Sequence, residues 1–75
     1  MGFDEQAVEQ LALGGAISAL RVSEQDDERW ILEIKTGRAM TPLVSKKNVV
    51  RRWRRLETAL KTARRFGAEI LVRYQ

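Results

Sequence analysis

The stretch NVVRRWRRLETALKTARRFG, Asn48 to Gly67, sets four arginines around Trp53 and adds a second pair, Arg64-Arg65, about ten residues on. Between Lys46 and Phe66 nine bases (Lys46, Lys47, Arg51, Arg52, Arg54, Arg55, Lys61, Arg64, Arg65) meet one acid, Glu57. A planar guanidinium fork suits bidentate contact with phosphate oxygens, so the chemistry such a segment offers is electrostatic capture of a polyanion. A helix face selected only for solubility normally mixes signs through i,i+4 Glu–Lys pairs. This segment holds a single such pair, Glu57–Lys61, among its nine bases, and its partner is expected to be nucleic acid, DNA before RNA, or an acidic protein surface.

Catalytic residue types are scarce. There is no cysteine and no histidine, which removes disulfides, thiolate or imidazole metal sites, and Ser-His-Asp or Cys-His nucleophilic systems. The acids Glu24, Asp26, Asp27 and Glu28 lack the glycine and terminal glutamate of a calcium loop and read as a solvated turn. Gly14-Gly15 is no phosphate-binding loop. The expectation is a binding protein and not an enzyme, with no cofactor and no metal.

Charge is distributed unevenly. The chain has 75 residues, 44% hydrophobic and 32% charged, with a net charge of +4. Residues 1–28 carry −6 and residues 29–75 carry +10, an asymmetry that speaks of partners and not of fold. No apolar run approaches a membrane span. The start, Met1-Gly2-Phe3-Asp4-Glu5, lacks a signal-peptide plan, and Gln6 stands where N-myristoylation wants Ser or Thr. A cytoplasmic protein without a membrane partner is expected.

The length bounds the answer at one domain, residues 1–75, with an N-terminal helix or arm over 1–14 and a core over 16–74. Residues 4–13, DEQAVEQLAL, read as a short helix capped by Asp4, with Phe3 and Val8 at the spacing of a hydrophobic staple and Gly14-Gly15 as its stop. A loose arm fits the same residues. Ala16–Val22 and Arg29–Lys35 alternate as strands, the second with Trp30, Leu32 and Ile34 on one face. Thr36-Gly37 turns the chain into a third strand, RAMTPLV, which Pro42 places at an edge. Ser45 then caps a helix running to Phe66 and stopping at Gly67, and AEILVRY closes the chain as a strand with Ile70, Val72 and Tyr74 on one face. The fold class is α+β: a three-stranded antiparallel meander, a long covering helix and a C-terminal strand, β-β-β-α-β, joining this sheet or a partner's. A core this small and open sheet edges favour a homodimer.

On a wheel drawn over residues 46–66, Val49, Trp53, Leu56, Leu60 and Ala63 share a stripe with Ala59 at its margin, while Lys47, Arg51, Arg54, Lys61 and Arg65 gather opposite and Arg55 lies at the border. Trp53 is therefore expected in the core and the arginines on a ridge in water. The ridge residues Lys47, Arg51, Arg54, Arg55, Lys61 and Arg65 are the first candidate phosphate contacts. A second candidate surface is the open sheet face with Arg21, Arg29, Lys35 and Arg73, where Ile31 and Leu71 share the outward parity and neither Trp30 nor Tyr74 is expected to supply a stacking ring. No recognition-helix pattern that would specify bases is present.

The succession of a tryptophan strand, ERWILEI, a glycine turn, a strand, and VVRRWRRLETALKTARRFGAEILVR resembles the small ParC-type partition-associated proteins of plasmids and integrating conjugative elements. Trp30, Arg51 to Arg55 around Trp53, LETAL at Leu56–Leu60, and Gly67 carry the likeness over residues 16–74. The resemblance implies a setting in plasmid or mobile-element maintenance and brings no catalytic or ligand residues with it. The acidic segment 1–13 departs from that pattern.

Overall fold

The computed structural model describes residues 2–75; Met1, the first residue of the expected arm, lies outside the described residues. The elements run α1 (Glu5–Leu13), β1 (Ala19–Glu24), β2 (Trp30–Thr36), β3 (Ala39–Pro42), α2 (Leu56–Arg64) and β4 (Ile70–Arg73). They form an α+β fold with one four-stranded sheet in the order β3-β2-β1-β4. The sheet is mixed, because β1-β2 and β2-β3 pair antiparallel while β4 joins β1 in parallel. The bare order β-β-β-α-β omits α1, which is a formed helix and not a loose arm.

Period-2 patterning explains the sheet. Leu20 sits opposite Ile34 and Val22 opposite Leu32, so four apolar side chains stack on one face and all four are fully buried. The same register puts Arg21 opposite Glu33 on the other face. Gly37, at φ 62°, takes the left-handed position between β2 and β3 that a side chain resists. Pro42 lies on edge strand β3, as its missing N–H requires, and its carbonyl accepts the Phe3 N–H at 3.1 Å.

Helix α1 begins where Asp4 accepts the Ala7 N–H at 2.8 Å, and it docks through Val8, which is fully buried. It ends at Gly14, with Gly15 at φ 70° carrying the chain away. Helix α2 lies on the apolar sheet face through Ala59 and Ala63, both at 0% exposure, with Leu56 and Leu60 packed alongside and Phe66 closing the core. Small residues on the contact line let the helix sit close to the strands.

The long covering helix from Ser45 to Phe66 does not exist. Helix α2 spans nine residues, and residues 45–55 are turn and extended chain. Ser45 caps no helix; its hydroxyl oxygen accepts the Lys47 and Val49 N–H groups at 3.2 and 3.4 Å, while Asn48 adopts φ 63° and Val44 bridges Val50. Asn tolerates the left-handed region, which makes SKKNV a turn. Two further forces oppose a helix here: Val49-Val50 are β-branched, and like charges at i,i+4 (Lys47–Arg51, Arg51–Arg55) repel.

Trp53 is buried, at 8% exposure, but by another route than the wheel drew. Its backbone pairs with that of Trp30 in an antiparallel bridge, with reciprocal N–H···O distances of 2.8 and 2.9 Å. Val49, placed on the core stripe by the wheel, is 62% exposed, and Ala59, placed at its margin, lies in the core. Val72 in β4 and Tyr74 just beyond it are 38% and 67% exposed instead of covered, with β4 at an edge of the sheet. Among the described residues no helix is long and apolar enough to cross a membrane.

Candidate nucleic-acid interface

The break in the helix dissolves the single basic ridge. Lys46 and Lys47 sit exposed in the 45–49 turn, Arg54 and Arg55 at the entry to α2, Lys61 on its outer side, and Arg65 at its C-cap. Extended chain sends alternate residues to opposite sides, so Arg52 and Arg54 point away from the core that Trp53 enters. Arg51 shares the Trp53 side, and its guanidinium carbon lies 5.0 Å from the centre of the indole ring, within range of a cation–π contact.

Two of the expected phosphate contacts are held by carboxylates of α1. Glu5 lies 3.2 Å from Arg51 and 2.9 Å from Arg65, and Glu9 lies 3.4 Å from Arg65. Arg52 meets Asp27 at 3.5 Å. These pairs are solvent-exposed and worth up to about 1 kcal/mol each. Their larger consequence is electrostatic: the acidic N-terminal portion answers part of the basic portion within one molecule. Sequence inspection missed this because Glu5 and Arg65 are sixty residues apart and nothing local links them.

The open sheet face is also partly compensated. Arg21 pairs with Glu33 at 3.0 Å, and Glu33 accepts the Ser23 hydroxyl at 2.8 Å. Arg21 and Arg73 share a polar hollow of about 390 Å³ with Glu24, Glu33 and Tyr74. Its walls carry both signs, so it is no cationic groove. Tyr74, expected to face inward, stands at its rim with its ring edge-on to Trp30, centroids 5.4 Å apart. Arg29 is half-buried before β2, where its N–H is held by Asp27 at 3.1 Å, and Lys35 is exposed on β2 opposite Ala19. The four sheet residues therefore do not form one surface of free charge.

Of the nine bases from Lys46 to Arg65, Arg51, Arg52 and Arg65 are paired; the other six, Lys46, Lys47, Arg54, Arg55, Lys61 and Arg64, are exposed and have no ion-pair partner among the described residues. Lys46 and Arg64 were not among the expected contacts, and their only signal was exposure. Arg54 and Arg55 are placed at a cost. Arg55 is the N-cap of α2 and makes no side-chain cap hydrogen bond, since a guanidinium has no acceptor to offer. Two cations thus stand at the positive end of a helix dipole, where Ser, Asp or Asn would stabilise.

Among the described residues no group of three or more acidic, histidine or cysteine side chains is placed to hold a metal ion. Comparison with known proteins assigns no family: no family model matches this chain, and neither a curated protein nor a solved structure matches it.

Proposed function

We propose that this chain binds nucleic acid by contacting phosphates, without catalysis, through Lys46, Lys47, Arg54, Arg55, Lys61 and Arg64. The observation that carries the reading is the imbalance left after internal pairing within residues 46–65: six exposed cations against one acid, Glu57. Arg54 and Arg55, set against the dipole of α2, gain most from an anion, which would relieve their repulsion and take up the free N–H groups of the first turn. Arg51 and Arg65, satisfied by Glu5 and Glu9, hold α1 in place and contribute little to binding. Contacts of this kind position a backbone and do not read bases, so binding is sequence-tolerant. A setting in plasmid or mobile-element maintenance rests on the resemblance of residues 16–74 to ParC-type partition-associated proteins, and cytoplasmic residence goes with it.

Salt titration of labelled duplex DNA, single-stranded DNA and RNA tests this. Affinity for duplex should fall log-linearly with salt, and changing Arg54 and Arg55 together to Ala should flatten the slope by roughly two. Arg51→Ala should leave that slope unchanged. Absence of binding to all three probes at low salt would hand the surface to the second reading, an adaptor docking an acidic protein. That reading draws on Val49, an apolar side chain 62% exposed in the same turn as Lys46 and Lys47, which a protein partner would cover and a phosphate would not.

A further inference from the structure

The two edges of the sheet are treated differently. Beside β3 the N-terminal segment takes up the chain at Pro42–Val44: Phe3 donates to the Pro42 carbonyl at 3.1 Å, accepts from Val44 at 2.8 Å and bridges Leu43 in parallel. Among the described residues no strand lies on the outer side of β4. Leu20 donates to the Glu69 carbonyl at 2.7 Å, so Glu69, Leu71 and Arg73 turn their backbone groups toward β1. By alternation, Ile70 and Val72 point their N–H and C=O groups outward. Leu71 and Val72 are 48% and 38% exposed on this open edge.

We infer that the β4 edge is a self-association surface, on which a second copy of this chain pairs antiparallel to make one eight-stranded sheet. Only registers that place outward-pointing residues opposite each other can form hydrogen bonds, which leaves two-fold axes at residue 70, 71 or 72. The side chains choose among them. An axis at Leu71 sets Ile70 against the partner's Val72, Leu71 against the partner's Leu71, and Glu69 against the partner's Arg73 at both ends. An axis at residue 70 places Glu69 against the partner's Leu71, and one at residue 72 places Arg73 there, so each loses the charge match. Glu69 and Arg73 are both exposed and have no ion-pair partner in the protomer among the described residues.

Charge on an edge strand usually repels a second edge. Here opposite signs sit at positions that a two-fold axis brings together, and an isologous contact demands that self-complementarity. The Glu69–Arg73 pairs fall at non-hydrogen-bonded sites, where side chains across a ladder come closest. A contact of about five residues per chain buries less than the ~1,200 Å² of standard interfaces, so the dimer is weak and concentration-dependent.

Sedimentation equilibrium without nucleic acid tests this independently of the binding function. The wild-type chain should pass from monomer to dimer as concentration rises into the high micromolar range. Glu69→Arg and Arg73→Glu, each alone, set like charges opposite each other at both ends and should remain monomeric at the same concentrations. Mixed one to one, the two variants become complementary and should form heterodimers, and the double variant should again self-associate. Circular dichroism verifies that each variant is folded. A wild-type chain monomeric up to millimolar concentration, or single variants that dimerise as well as wild type, would overturn the inference.

Discussion

Residues 45–55 and 56–66 look alike on paper and fold differently. Both are rich in bases and both place apolar side chains at three- or four-residue intervals, yet the first is a turn followed by extended chain and the second contains helix α2. In 56–66 nothing competes with the helix: Leu, Ala, Glu, Lys and Arg dominate, and Ala59 and Ala63 fit against the sheet. In 45–55 three competitors act together. Asn48 takes a left-handed turn, Val49-Val50 favour extended chain, and Trp53 finds two backbone hydrogen bonds on Trp30. Apolar periodicity is thus a permissive signal, and a tertiary pairing can outbid it.

The largest effect that probes this contrast is Trp53→Ala, which should cost about 3–5 kcal/mol of stability in urea or thermal denaturation. It should also raise hydrogen exchange at the Trp30 amide, which a tryptophan anchored only by a helix face would not do. Next comes Asn48. Alanine there should destabilise by about 1 kcal/mol and glycine should be tolerated, because φ is positive. A continuous helix over 45–66 would reverse that order, since alanine favours helix interiors over both. The smallest effect is Arg55→Asp, which should stabilise by about 0.5–1 kcal/mol by capping α2 and relieving its dipole. The same change should weaken nucleic-acid binding, so stability and affinity move in opposite directions. A variant that loses stability and keeps full affinity would show that Arg55 serves the fold instead.

The strands were readable because alternation over Leu20–Val22 and Trp30–Ile34 leaves one way to bury those side chains. The cap of α1 was readable because Asp4 acts on a donor three residues away. The candidate site was readable only as an excess of charge. Which arginines remain free depends on Glu5 and Glu9 reaching Arg51 and Arg65 across the whole chain, and no local pattern encodes a contact of that range. The orientation of β4, parallel to β1 and open on its far side, was likewise undetermined by its alternation, which is the same in either direction.

Local chemistry in the amino-acid order settled the α+β class, the inward faces of the strands and the surplus of positive charge, because each follows from side-chain type and spacing within a few residues. Tertiary structure alone decided how Trp53 is buried, which guanidinium groups are already neutralised and which sheet edge stays open. Those outcomes depend on backbone groups and charges distant in sequence competing for one another once the chain has closed.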